Sequence, residues 1–285
     1  MSFTINEAFV EQYSSNFHVL AQQKQSKLEG LVRVESGIVG ASKAVERIGA
    51  AEAYQLTTRH AETQYVDTPH SRRWLDLTDY AWSDLVDEMD KIKALIDPTS
   101  PYVEAAVAAL NRRKDRVILA ALEGSARTAS STAALGSGNK IAHGSARLTL
   151  AKLTQAKMIL DEFDVPADGR VYVCAPEQVY DMLNISTLTS ADYNNIKALV
   201  AGEIDTFLGF KFVTSNFLTK SDSTHQYNYA FHKDALVLGI GKDITTSIDV
   251  LPTKNQSVQV YARMSLGAVR VEENMVVQID NVITA

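Results

Sequence analysis

Few residues in this chain combine the types and spacing that catalysis or metal binding requires. His60-Ala61-Glu62 supplies the H-x-E half of a zinc deaminase, in which the histidine holds the metal and the glutamate moves a proton. The other half, P-C-x-x-C, needs two cysteines, and Cys174 is the only one in the chain. Glu62 and Asp67 could pair as acid and base, but they lie on a polar hairpin with no evident pocket, so solvated charges are the better account. Cys174, between Val173 and Ala175 at the end of an apolar run, reads as a small buried hydrophobe. No G-x-S-x-G elbow occurs. Gly136-Ser-Gly138-Asn-Lys140 lacks the G-x-x-x-x-G-K-[ST] spacing of a phosphate-binding loop. No catalytic, cofactor-binding or metal-binding residue is expected.

The elements that carry these residues are more informative than the residues themselves. From Ala50 to Glu123 the chain has no glycine, and it begins there as a polar hairpin that cannot fold alone. Thr57 to Asp67 mixes Thr, Tyr and Val with charge, yet neither parity gives a continuous apolar face. Thr68-Pro69-His70-Ser71 signals a turn, and Arg72 to Thr78 supplies a return strand. An isolated two-stranded hairpin is marginal in water, so this one needs a surface, and its charge favours a neighbouring subunit. Arg72, Arg73, Trp74 and Trp82 are therefore candidate intersubunit contacts. The two tryptophans fit an interface anchor and an intrachain core equally well.

A long helix follows. Ser100 is placed to cap it, Pro101 suits the first helical position, and Gly124 sits where a left-handed C-terminal residue is expected. Val103, Val107, Leu110, Val117, Ala121 and Leu122 recur at helical spacing, while Arg112-Arg113-Lys114 reads as a solvated face. At about 1.5 Å per residue this is a rod of roughly 34 Å, a spine rather than an ordinary domain helix.

With 285 residues, 46% hydrophobic and 22% charged, the chain can bury a substantial core. A net charge of -6 argues against a surface that grips nucleic acid through its phosphates. A single cysteine excludes an intrachain disulfide and fits a reducing cytoplasm. No apolar run reaches membrane-spanning length, and MSFTINEAF lacks the features of a signal peptide. Asn6 to Leu28 is helix-compatible, with Phe9, Tyr13, Phe17 and Leu20 on one stripe, so it reads as an arm whose Phe9, Tyr13 and Phe17 dock on a partner. A short extended stretch follows around Leu31 to Val34.

Beyond the spine, Ser125 to Ser145 reads as a flexible loop. A helix over Leu148 to Phe163, a buried strand over Arg170 to Cys174 and a helix from Pro176 come next. Later segments are strands. Phe210 and Phe212 alternate with polar neighbours, Tyr227 to Phe231 does likewise, and Ile244 to Leu251 stops at Pro252. The closing run changes its apolar parity at Gly267, the mark of a bulge, before a last strand with Met275, Val277 and Ile279. The fold class is α+β.

This order of parts resembles the tailed-bacteriophage major capsid proteins of the HK97 fold. The resemblance rests on Leu110-Asn111-Arg112-Arg113-Lys114-Asp115 in the spine, Val165-Pro166 before Gly169-Arg170-Val171-Tyr172-Val173, and the helix Pro176 to Leu183. It rests further on Leu208-Gly209-Phe210-Lys211-Phe212-Val213-Thr214-Ser215-Asn216, Ala230-Phe231-His232-Lys233-Asp234-Ala235, and Arg270-Val271-Glu272. It spans nearly the whole chain. It implies an N-terminal arm over 1-50 and an extended loop with a flanking helix over 51-97. A peripheral domain with the spine would occupy 98-149 and 245-285, and an axial domain 150-244.

The function so implied is structural, not enzymatic: copies assemble as pentamers and hexamers into an icosahedral head that encloses double-stranded DNA. The expected location is the virion, assembled in the host cytoplasm. Some members of that family cross-link through a lysine of the extended loop, and none lies between Lys43 and Lys91 here, so that route is not expected. The hairpin begins close to the N-terminus, which implies a separate scaffolding protein. A portal protein and a decoration protein are further implied partners. The alternatives are an encapsulin-like compartment shell, told apart by its genomic neighbours, and a soluble α+β enzyme.

Overall fold

The computed structural model describes residues 22–60, 62–86, 99–183 and 206–283. In chain order the strands and helices are β1 (Arg33–Ser36), β2 (Ser42–Ile48), β3 (His70–Asp76), β4 (Thr78–Val86), α1 (Thr99–Glu123), β5 (Ala126–Thr128), β6 (Thr132–Ala133) and β7 (Lys140–Ile141). Then come α2 (Leu150–Glu162), β8 (Arg170–Cys174), α3 (Pro176–Leu183), β9 (Thr206–Phe207), β10 (Phe210–Thr214), β11 (His225–His232), β12 (Leu236–Leu251), β13 (Ser257–Arg270) and β14 (Val276–Val282). Contacts divide the chain into two compact units. One lies within Met1–Ser26, Asp79–Arg113 and Asp243–Met264, the other within Lys27–Thr78, Lys114–Lys242 and Ser265–Ala285.

In the second unit, a six-stranded sheet has the order β7-β14-β11-β8-β10-β9. All five residues of β8, Arg-Val-Tyr-Val-Cys, are buried, so both of its faces are covered. Its parallel neighbour β10 and antiparallel neighbour β11 place Tyr172 beside Phe212 and Ala230. Leu153, Ala156 and Leu160 of α2 recur every three or four residues and enter the same core as Tyr172, Cys174, Phe210, Val277 and Ile279. Thr149 starts α2 by accepting from the Lys152 amide. The sheet ends on the two-residue strands β7 and β9, short edges that offer little to a stray strand.

A four-stranded sheet in the order β2-β3-β5-β6 lies in the same unit. Here the structure corrects the hairpin. The return strand β3 pairs antiparallel with β2, from Ser42 opposite Asp76 to Ile48 opposite His70, and not with Thr57–Asp67. Residues 49–69 form the connecting loop, closed at its base by Gly49 N–H donating to the Pro69 carbonyl at 2.8 Å. The reason is packing: Val45 and Leu75 both enter an apolar cluster with Ile38, Ala126, Val237 and Val269, whereas the 57–67 segment has no such face to bury.

Other expectations also change. Ser125–Ser145 is not simply a loop, since it contributes β5, β6 and β7. Gln22 to Leu28 is not helical, although β1 appears where the extended stretch was expected. Thr78–Val86 is strand, and residues 87–98, the rest of the stretch in which a flanking helix was expected, lie outside the described residues. The 25 residues of α1 make a rod of about 37 Å at about 1.5 Å per residue. It has begun by Thr99, so Ser100 lies inside it rather than capping it. Gly124 is not left-handed; a Cβ there would stand 2.9 Å from the Ala120 carbonyl oxygen, which accounts for the glycine by close approach.

The charged stretch of α1 is not all solvated. Lys114 and Asp115 are buried. Lys114 reaches Glu29 at 3.0 Å, and the Asp115 carboxylate accepts the Lys27 and Leu28 amides at 3.1 to 3.2 Å. These contacts offset the cost of placing charge in the interior.

The first unit contains the start of α1, most of β4, the end of β12 and the start of β13. In the sheet β1-β12-β13-β4, β4 is the edge. Tyr80 of β4 lies beneath the Arg113 guanidinium, 4.5 Å from its ring centre. β13 runs unbroken from Ser257 to Arg270, and its burial does change parity near Gly267. Glycine is required there by a close backbone approach: a Cβ on Gly267 would lie 2.0 Å from the Asp76 carbonyl oxygen.

Candidate assembly surface

The sequence candidates separate clearly once their neighbours are known. Arg73 faces inward, 8% exposed, and donates to the Glu273 carboxylate at 2.7 Å. Arg47, on the partner strand β2, reaches the other oxygen of Glu273 at 3.5 Å. Glu273 thus ties both strands at the root of the loop to the segment before β14. The idea that nothing in the chain lies under Arg73 is therefore corrected, and a charge reversal there would disturb the subunit itself.

Arg72 and Trp74 remain at the surface. Arg72 is exposed and pairs with Glu46 across the β2–β3 ladder, its Nε 2.7 Å from Oε1. Trp74 is half-buried, with the guanidinium groups of Arg72 and Arg127 at 5.8 and 5.3 Å from its ring centre. Arg127 stands opposite Trp74 in the β3–β5 register and also binds Asp76 at 2.7 Å. Both guanidinium groups lie within cation–π reach of the indole. Trp82 is half-buried on β4 in the first unit and is not brought together with Trp74 by any described contact. Phe9, Tyr13 and Phe17 lie outside the described residues.

The loop between β2 and β3 is the clearest unsatisfied surface. Every described residue from Gly49 to Pro69 is exposed except Thr68. Among them Tyr65 is 93% and Leu56 72% exposed, with Tyr54 and Val66 nearby in sequence. Single exposed apolar residues are ordinary, but several on one extended segment mark an interaction site. Its one described internal tie to a side chain is the Gln64 amide donating to the Tyr54 hydroxyl at 3.2 Å. Sequence reasoning named the root of this loop and passed over Leu56 and Tyr65, though large apolar residues in a polar segment were a visible signal.

The chemistry candidates find no constellation. His60, Glu62 and Asp67 sit on this exposed loop. Among the described residues no group of three or more His, Cys, Asp or Glu is arranged to hold a metal. Cys174 is fully buried, and burial pushes its thiol up to about 12, away from the reactive thiolate. In the glycine-rich stretch, Asn139 turns inward and donates to the carbonyls of Glu273 and Val276 at 2.7 and 3.0 Å, a structural role. No helix among the described residues is long and apolar enough to cross a membrane.

No curated protein sequence matches the chain significantly. Solved structures do match in fold over nearly its whole length. The Mycobacterium phage Che8 structure is 22% identical, covering 95% of this chain and 97% of that one at a TM-score of 0.69. The capsid of cyanophage P-SCSP1u is 15% identical, covering 98% and 94% at 0.75. The capsid of Ralstonia phage GP4 is 12% identical, covering 97% and 96% at 0.75. The mixed α and β architecture is thus the HK97-like capsid fold. The phage capsid protein family itself matches residues 5–283. With that match running through the spine, both described sheets of the second unit and the exposed loop, the chain belongs to the phage capsid protein family.

Proposed function

We propose that this protein is the major capsid protein of a tailed phage, and that its copies assemble as pentamers and hexamers into an icosahedral head enclosing double-stranded DNA. The observation that carries this reading is the loop at residues 49–69, anchored at its root yet exposed along its length, in a chain of the phage capsid family. In this reading the loop lies on a neighbouring copy, where Leu56 and Tyr65 become buried. Arg72, Trp74 and Trp82 are further contact candidates, as are Phe9, Tyr13 and Phe17 of the arm.

A closed shell suits such weak, repeated contacts, because each copy both gives and receives the same loop. The net charge of -6 fits a container that does not grip its DNA. The domain division into arm, extended loop, peripheral and axial parts belongs to the same proposal. So do a separate scaffolding protein, a portal protein, a decoration protein and assembly in the host cytoplasm. The role is structural rather than catalytic.

The test is a double variant, Leu56→Asp with Tyr65→Asp. The purified subunit should melt at the same temperature as the parent, while closed shells no longer form. Normal shells from the double variant would refute the loop's role.

A further inference from the structure

Two loops of the second unit meet through a pair of histidines that neither the fold nor the assembly reading accounts for. His143 precedes α2 and His225 opens β11; their ring centres are 4.3 Å apart and their planes are inclined at 59°. The two rings are bonded in opposite senses. The His225 Nδ1 lies 2.8 to 2.9 Å from both Asp222 carboxylate oxygens, and since a carboxylate only accepts, Nδ1–H donates. The His143 Nδ1 instead accepts the Ser145 backbone N–H at 3.0 Å, so it carries no proton.

That acceptor bond shapes the loop. Gly144 and Ser145 are both left-handed, at φ 54° and 53°, a conformation that a serine adopts only under constraint. The next residue, Ala146, presents its carbonyl to the Val282 amide at 3.2 Å and to Lys152 Nζ at 2.8 Å. On the other side, the Thr224 carbonyl accepts the Ile283 amide at 2.7 Å. The paired loops therefore hold the end of β14 between them.

We infer that the His143–His225 contact is an acid-sensitive clasp on the end of β14, opened when His143 takes up a proton. A proton on His143 Nδ1 removes the acceptor for Ser145 N–H and turns donor against donor. If His225 is also charged, two cations then face each other across 4.3 Å. The charged groups around the contact are Asp222 on the β11 side and, from α2, Lys152, whose Nζ binds the Ala146 carbonyl next to Ser145; Thr224 and Val282, the latter opposite His225 in the β14 register, are uncharged. Asp222 stays ionised through the histidine range, because the Thr224 amide, His225 and the Thr224 hydroxyl hold its carboxyl down at about 2. It can neutralise one imidazolium, on its own side of the contact.

The experiment is amide hydrogen exchange on the full-length protein between about pH 8 and about pH 5, either side of the ordinary histidine range, with intrinsic rates corrected. Exchange at Ser145, Val282 and Ile283 should accelerate about fivefold to tenfold in acid, the worth of one backbone hydrogen bond. His143→Asn keeps an acceptor for Ser145 but cannot be protonated, and its exchange at these amides should be the same at both ends. A flat profile in the parent protein would overturn the inference, as would an undiminished acid response in the asparagine variant.

Discussion

Arg270, near the end of β13, places its Nη1 2.7 Å from the carbonyl oxygen of Leu122 in the last turn of α1, across 148 residues of sequence. Its Nη2 donates to the Ala133 carbonyl at 3.0 Å. A cation at the C-terminus of a long helix meets the negative end of the helix dipole and satisfies a carbonyl that has no partner within the helix. Burial lowers the pKa of Arg270, and the Glu273 carboxylate opposes that effect. Arg270→Met should cost about 3 kcal/mol, with a lower urea midpoint and an unchanged slope. Arg270→Lys should recover part of this, since one ammonium can reach one carbonyl but not both in the same geometry.

Arg72 and Arg73 are adjacent and should behave differently. Arg73→Glu strands a buried charge beside Glu273 and is expected to destabilise the subunit by about 3 to 5 kcal/mol. Arg72→Glu breaks an exposed pair with Glu46, worth about 1 kcal/mol at most. Chemical denaturation of the unassembled subunits separates the two. Equal effects would contradict the inward placement of Arg73.

Gly267 and Gly136 make a similar contrast. A methyl group on Gly267 collides with the Asp76 carbonyl, whereas nothing lies within 4 Å of the corresponding position at Gly136. Gly267→Ala should cost about 3 kcal/mol or more, and Gly136→Ala should stay within about 0.5 kcal/mol of the parent. Thermal unfolding measures both.

Stability should fall in alkali. Burial pushes the Cys174 thiol up to about 12 and raises the Tyr172 and Tyr229 hydroxyls above their ordinary range. The folded chain then keeps protons that the unfolded chain releases. Stability is therefore full below the ordinary thiol value of 9.0 and declines as pH rises from there toward about 12. A urea midpoint that fell steadily above about pH 9 would agree, and a flat one would contradict the burial. At about pH 8, native Cys174 should resist alkylation until the chain is unfolded.

Much of the fold was legible because periodicity and burial coincide. Pro176–Leu183, the buried run Arg170–Cys174 and the stop at Pro252 all follow from local rules that the tertiary structure does not override. The partner of β3 was not legible, since Ser42–Ile48 and Thr57–Asp67 have similar strand character and only the cluster around Leu75 chooses between them. Glu273 could not be foreseen as the anchor of Arg73, because the two residues are 200 apart in sequence. The strands β5 to β7 escaped for another reason: they are two or three residues long and their Ser, Gly and Thr content is that of a turn. The sequence placed the segment without a core of its own at the arginines of the return strand, whereas Arg73 is buried and the exposed apolar residues Leu56 and Tyr65 lie in the loop beyond.

The most direct measurement is electron microscopy of the full-length protein produced with its neighbouring genes. Closed icosahedral shells of uniform size are expected. A small discrete oligomer under the same conditions, with residues 49–69 still exposed, would contradict a capsid subunit whose loop is completed by its neighbour.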